Sequence, residues 1–279
     1  MRKIGDGLVS PYSVELGFSF NINLGKNLEL LRNAVLNQDF DAAIIIDGKE
    51  GAGKSVLAMQ IAHFLDVDRS VDIKRQICWT PDQFKYAVTH NAKGKAIVWD
   101  EARRGANRRR STTDGNIEIT DMLAECRQRN LFLVIVMPSF YDMDLNIAMH
   151  RTRVLIHVMF DWNSGDPNKP LRRGRFRFYN DTAKGDLYTD KILRTRYKYP
   201  PKPGLSFDGE FPHHYVVDEE KYRHAKRLSL RDFSKDDESV CPVCKLKMDK
   251  FLLKKGVNRC RAGHEWPANP TSIQKGGVV

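Results

Sequence analysis

An α/β fold built on a mainly parallel sheet is what this sequence predicts, on two observations. Short apolar runs rich in β-branched residues alternate with helical stretches over the first 160 residues, the pattern of strands joined by crossover helices. A glycine-rich turn also separates the first such run from the helix after it. Residues 1–40 read as an irregular start, a short strand near Phe18–Ile22 and a helix from Lys26 to Leu36. Asp41-Ala42-Ala43-Ile44-Ile45-Ile46-Asp47 then has the composition of a strand buried on both faces. Lys54 to Leu65 reads as a helix apolar on most sides, as packing against a sheet requires. Ile77-Cys78-Trp79 is the next strand, and Thr80-Pro81-Asp82-Gln83 starts a helix with a capping Thr, Pro at the first position and Gln three residues after the cap. Ala96–Trp99 and Leu131–Met137 are the third and fourth strands, with a helix at Ile117–Arg129 between them, and Val154–Phe160 is the fifth.

Beyond the turn-rich Asp161–Pro167 the pattern changes. Arg175-Phe176-Arg177-Phe178 alternates basic with aromatic, which suits a half-exposed antiparallel strand. Tyr199–Gly204 breaks regular structure, and Asp218–Leu228 reads as a charged helix. The polar run Ser234–Ser239 reads as a linker. The expected organisation is therefore a main domain over 1–233, with its core at about 40–160 and a basic, β-rich extension at about 165–233. A separate unit at 240–268 and a disordered tail at 269–279 follow. No internal repeat is visible.

The 279 residues carry a net charge of +11, which points to a polyanionic partner, nucleic acid first and an anionic membrane second. Residues 171–204 hold ten Lys/Arg against three Asp, seven of the eleven excess charges. No run of apolar residues is long enough to span a membrane, and no apolar stretch follows the N-terminal Met1–Asp6 as in a secretion signal. The expected location is cytoplasmic, or the host cytoplasm for a protein of a virus or mobile element. Of five cysteines, Cys78 and Cys126 stand alone while Cys241, Cys244 and Cys260 cluster, an arrangement for metal rather than for a disulfide framework.

Gly48-Lys49-Glu50-Gly51-Ala52-Gly53-Lys54-Ser55 matches G-x-x-x-x-G-K-[ST] in full, between a buried strand and a helix. In that context the glycines let backbone N–H groups form an anion-binding nest, reinforced by the helix N-terminus. Lys54 then reaches the outer phosphates of a nucleoside triphosphate, and the Ser55 hydroxyl joins the shell of a magnesium ion. Asp100 and Glu101 end the apolar strand Ala96–Trp99, expected beside the phosphate-loop strand. There Asp100 supplies the second magnesium contact and Glu101 the general base for water. An adjacent Asp-Glu weighs against a kinase of a small metabolite, which must exclude water. Ser139, ending the fourth strand, is a candidate γ-phosphate sensor or a simple turn residue. Arg151 and Arg153 are candidate arginine fingers or surface salt-bridging residues.

These motifs resemble the additional-strand P-loop ATPases of the FtsK–HerA class, with RecA-like architecture. The nearest branches are the zonula-occludens-toxin-like and the archaeal or phage-encoded ATPases. The resemblance is carried by Gly48–Ser55, Ile97–Ala102, Arg127–Phe140 and His150–Arg153, and covers about residues 40–160. It implies a hydrolase using ATP and Mg2+, a ring-forming homo-oligomer with arginine fingers acting in trans, and movement of DNA, as in packaging or mobilisation. Ser139 stands where the class often carries Gln, and the membrane segment of the toxin-like members has no counterpart here.

Arg103, Arg104, Arg108, Arg109 and Arg110 follow Glu101 directly. Five arginines in eight residues favour contact with nucleic-acid phosphates over a solvated loop or a subunit contact. Arg175 and Arg177, with Phe176 and Phe178 between and after them, offer a second nucleic-acid surface, or the core of a small sheet. Cys241-x2-Cys244, fifteen residues, then Cys260-x3-His264 has the spacing of a structural Cys3His zinc site in a ribbon. So small a unit has too little core to fold unstapled. The expected function is an Mg-dependent ATPase acting on DNA, most simply an oligomeric motor. The alternative is a nucleotide-controlled switch that binds nucleic acid or protein and hydrolyses slowly.

Overall fold

The computed structural model describes residues 10–38, 40–102, 123, 125–161, 172–232, 257–259 and 265–267. The chain divides into two compact units, Met1–Arg223 and His224–Val279.

The first unit is built on a seven-stranded sheet: β1 (Ala42–Gly48), β2 (Ile77–Cys78), β3 (Ala96–Trp99), β4 (Phe132–Val136), β5 (Val154–Asp161), β6 (Arg172–Tyr179) and β7 (Ser206–Glu210). Their order is β2-β3-β4-β1-β5-β6-β7. The first five are parallel, and β6 and β7 add on antiparallel. Every residue of β1, β3 and β4 is buried, as apolar strands covered on both faces must be.

Helices cover both faces. α1 (Pro11–Leu16) and α2 (Ile22–Asn37) lead into β1, and α3 (Lys54–Leu65) follows it. α3 packs on β1, β3 and β4 and buries nine of its twelve residues. α4 (Ile73–Gln76) and α5 (Pro81–His90) flank β2. Phe84, Ala87 and Val88 of α5 share a core with Ile97, Leu133, Ile135 and Leu155. At about 1.5–3 kcal/mol for each fully buried large apolar side chain, such clusters dominate the stability of the sheet.

The capping box of α5 forms as the sequence predicts. Thr80 accepts from the Gln83 N–H, and the Gln83 side chain accepts from the Thr80 N–H. The predicted strand at Phe18–Ile22 does not form. Phe18 and Phe20 are buried by packing, Phe20 stacked on Phe64 at 5.1 Å, so their alternation reflects a folded-over loop. Asn21 then caps α2 by accepting from the N–H groups of Asn23 and Leu24, which starts that helix at Ile22 instead of Lys26. The predicted helix at 117–129 falls largely outside the described residues, of which 125–128 are helical.

The basic stretch is less β-rich than expected. It holds α6 (Asp181–Thr189) and α7 (Lys191–Arg196), started by Asn180 and Asp190 as side-chain caps. Ala183, Leu187 and Tyr188 of α6 join the core. Phe176 and Phe178 point into a packed layer with Phe207 and Phe211, the small-sheet core rather than a base-stacking platform. The strap after β7 leads to α8 (Glu219–Asp232).

In the second unit, β8 (Val257–Arg259) and β9 (Glu265–Pro267) form an antiparallel pair. Cys241, Cys244, Cys260 and His264 lie outside the described residues, as do Arg103, Arg104, Arg108, Arg109 and Arg110.

Candidate nucleotide site

β1 ends at Gly48, and the chain turns through the loop into α3 at Lys54. Gly48, Gly51 and Gly53 have φ of 137°, 76° and 101°, values that L side chains rarely adopt. At Gly48 a second constraint applies, because a Cβ there would lie 2.2 Å from the Val158 carbonyl oxygen of β5.

The sequence reading places β3, the strand that ends at Asp100, beside β1; in the structure β4 lies between them. The interposed strand is stitched to both motifs. Gly48 N–H donates to the Pro138 carbonyl at 3.3 Å, Met137 N–H to Ile46 at 2.9 Å, and Ala102 N–H to Val136 at 3.1 Å. The crossing of α3 over the sheet closes the remaining gap. Ser55 Oγ, in the first turn of α3, donates to the Asp100 carboxylate at 3.1 and 3.2 Å. Far from the loop, buried Asp66 at the C-terminal end of α3 fixes the relation of that helix to β3. It accepts from the Ala96 N–H at 3.0 Å and the Gln76 side chain at 2.6 Å, and pairs with Lys95 at 3.1 Å.

Lys54 Nζ donates to the carbonyls of Gly48 at 2.6 Å and Lys49 at 2.9 Å. Burial pulls its pKa down, opposed by the charges of Asp47, Glu101, Asp100 and Glu50. Those four carboxylates explain how a substantially buried ammonium is tolerated here. Asp100 is 1% exposed. Glu101 follows it at φ 64°, a left-handed turn that costs an L residue about 1–2 kcal/mol and is concentrated at functional sites.

Several groups at the site have no signal in local sequence pattern. Asp47, fully buried before Gly48, accepts from the Phe140 N–H at 2.8 Å and meets His157 Nδ1 at 2.8 Å. Tyr199 stacks on His157 at 3.8 Å; burial, then the Asp47 charge, pushes its pKa up. Tyr222 of α8 donates to Asp100 Oδ2 at 2.6 Å. Phe211 lies against Gly53, whose Cβ would stand 3.2 Å from its ring. Only the run of acidic strand ends hints at Asp47; the others arrive from more than 100 residues away in the chain.

The remaining predicted residues separate. Ser139 sits beside the loop, but its hydroxyl accepts from the Tyr141 N–H at 3.2 Å and contacts the Tyr199 hydroxyl at 3.1 Å, capping the short turn Phe140–Asp142. Arg153 N–H donates to Ala43, and its guanidinium lies 4.7 Å from the Phe40 ring centroid. That is the N-terminal edge of the sheet, five residues or about 16 Å along β1 from Gly48. Arg151 ends the π-helical turn Ile147–Arg151 at the same edge. Neither arginine reaches the loop of its own chain. Arg175 and Arg177 lie on β6, and Arg177 is committed to Asp208 at 2.5 and 2.7 Å and to the Tyr199 carbonyl at 2.9 Å.

The oxygen donors fit a hard divalent cation: a serine hydroxyl and a carboxylate that already converge. Among the described residues there is no cluster of three or more His, Cys, Asp or Glu able to hold a metal, and no helix is long and apolar enough to cross a membrane.

No protein-family model matches this sequence, and no curated protein matches it. Among solved structures, it is similar to the N-terminal domain of zonular occludens toxin from Neisseria meningitidis, with 13% identity and a TM-score of 0.37 over 66% of this chain and 98% of that one. It is also similar to the DNA-packaging ATPase from Sulfolobus Turreted Icosahedral Virus, with 15% identity and a TM-score of 0.33 over 52% of this chain and 94% of that one. The chain is a mixed α/β protein whose seven-stranded, mostly parallel sheet, flanked by helices, carries the glycine-rich loop at the end of β1.

Proposed function

We propose that this protein is a magnesium-dependent ATPase that acts on DNA as an oligomeric motor. The observation that carries the reading is the convergence of Ser55 Oγ on the Asp100 carboxylate, beside Lys54 and immediately before Glu101. The loop backbone from Gly48 through Lys49, Glu50, Gly51, Ala52 and Gly53 to Ser55 cradles the phosphates. Lys54 leaves its loop carbonyls to neutralise the outer phosphates, where its charge is most effective in a low-dielectric site. Ser55 and Asp100 hold Mg2+, which when bound neutralises phosphate charge. Glu101 takes a proton from water as the water oxygen attacks the γ-phosphorus and the bond to the β–γ bridging oxygen breaks.

Arg151 or Arg153, unable to reach the loop of their own subunit, act from a neighbouring subunit of a ring. The arginines at 103, 104, 108, 109 and 110, continuous in sequence with Glu101, contact DNA phosphates and link grip to hydrolysis. Arg175 and Arg177 extend that surface, Arg177 after release from Asp208. Cys241, Cys244, Cys260 and His264 hold a structural Zn2+ in a separate C-terminal ribbon.

The test is ATP turnover with and without duplex and single-stranded DNA, together with light scattering in each condition. The reading expects DNA-stimulated turnover by an oligomer. A monomer under all conditions, with slow turnover indifferent to DNA, refutes the motor and supports the nucleotide-controlled switch.

A further inference from the structure

Asp100 is held from two sides. The Ser55 hydroxyl of α3 lies 3.1 and 3.2 Å from its two oxygens, and the Tyr222 hydroxyl donates to Oδ2 at 2.6 Å. That length belongs to a charge-assisted O–H···O⁻ bond, about twice as strong as a neutral one. Tyr222 is 4% exposed, so water does not replace the hydroxyl when it is removed.

Three features bring this ring, 122 positions further along the chain, to the end of β3. Gln60 of α3 donates to the carbonyls of Pro212 and His214 at 2.9 and 2.8 Å, lashing the strap to the helix that carries Ser55. Asp218 accepts from the Lys221 N–H at 2.9 Å, fixing where α8 begins and so where Tyr222 falls in its first turn. Trp79 and Tyr215 then flank the Tyr222 ring, with centroids at 5.9 and 5.8 Å.

A ring pinned by two aromatics, a cap and a strap is more than a closed core needs, because an apolar Phe would fill the same space without a buried hydroxyl. We propose that Tyr222 is a positioning residue for the metal-binding carboxylate. Its hydroxyl fixes the rotation of Asp100 by holding Oδ2, so that Oδ1 is turned to the ion beside the Ser55 hydroxyl, which makes the 211–222 strap part of the nucleotide site. Without the hydroxyl, the carboxylate loses the shorter of its hydrogen bonds to Tyr222 and Ser55, and its rotation is less firmly fixed. The affinity for magnesium falls while the loop backbone keeps its affinity for metal-free nucleotide. The inference rests on the magnesium–nucleotide reading of the site.

Tyr222→Phe keeps the ring and its packing, and an unchanged melting curve verifies the fold. The experiment measures binding of a fluorescent ADP analogue in EDTA and across a magnesium titration, for wild type and Tyr222→Phe, and the magnesium dependence of turnover alongside. The expected result is a half-saturating magnesium concentration raised at least fivefold in Tyr222→Phe, with metal-free nucleotide affinity within twofold of wild type. Equal magnesium half-saturation in the two proteins overturns the role of Tyr222 and leaves the nucleotide site standing. An equal loss of metal-free binding marks a merely structural residue and also overturns it. A wild type whose nucleotide binding ignores magnesium overturns both the inference and the reading beneath it.

Discussion

Adding one methyl group at Gly48 separates the two demands that the phosphate loop places on its glycines. A Cβ at Gly48 would stand 2.2 Å from the Val158 carbonyl oxygen, 3.1 Å from its carbon and 3.3 Å from its nitrogen, and φ is 137°. All three are backbone atoms of β5, which pairs with β1 through this very residue, so no rotamer change relieves the clash. The strained backbone costs about 1–3 kcal/mol, and opening the end of the strand pair costs about 1 kcal/mol for each hydrogen bond lost. Gly51 has φ of 76° but nothing within 4 Å of its Cβ position, so it bears only the left-handed penalty of about 1–2 kcal/mol. Gly48→Ala is therefore expected to lose about 3–4 kcal/mol, which in a unit of this size lowers the melting temperature by roughly 6–16 °C. Gly51→Ala falls by about 2–8 °C on the same scale. Thermal unfolding followed by circular dichroism gives both. A Gly48→Ala protein melting no lower than Gly51→Ala refutes the argument that Val158 crowds the loop entrance.

Asp47→Ala strands the Phe140 N–H and His157 around a vacated buried position, and is expected to cost about 3 kcal/mol or more; a denaturant midpoint equivalent to less than 1 kcal/mol of change contradicts that. The pairing with Arg177 holds the Asp208 carboxyl below its usual range. Its contribution is present above the unfolded carboxylate pKa and fades as pH falls through the lower folded value. The melting-temperature gap between wild type and Asp208→Asn should therefore be full at neutral pH and narrow as pH falls below about 4, and a gap that widens on acidification is the wrong sign. Burial raises the Cys78 thiol to about 12 and pushes Cys126 up as well. Native protein exposed to a thiol-alkylating reagent at pH 8 should be modified at neither, while the zinc proposed at Cys241, Cys244 and Cys260 should leave on chelation and make those three reactive. Metal analysis finding less than half a zinc per chain in freshly purified protein argues against the ribbon.

The core of the site was readable because it is local. The phosphate-loop motif spans eight residues between a β-branched run and an apolar helix, and α3 and β3 lie where the pattern places them. Asp100-Glu101 was readable for the same reason, as an acidic pair at the end of an apolar strand. Strand order was not: nothing in the composition of Phe132–Val136 says that it inserts between β1 and β3. The helices at Asp181–Thr189 and Lys191–Arg196 were hidden by charge, because a helix with a few core-facing residues among lysines and arginines looks like a solvated stretch. Alternation at Phe18 and Phe20 imitated a strand because a loop folded against α3 buries every second residue too. Tyr222, Tyr199 and His157 could not be found from sequence, since each acts on a partner far along the chain.

The central claim is that this site hydrolyses a nucleoside triphosphate with Glu101 as the base. It is tested most directly by ATP turnover of wild type and Glu101→Gln in magnesium and saturating DNA, with nucleotide affinity measured on the same preparations. The account predicts a loss of about 100-fold or more in turnover, with affinity within a few-fold of wild type. Turnover by Glu101→Gln within a few-fold of wild type, or a wild type that binds ATP and never hydrolyses it, contradicts it.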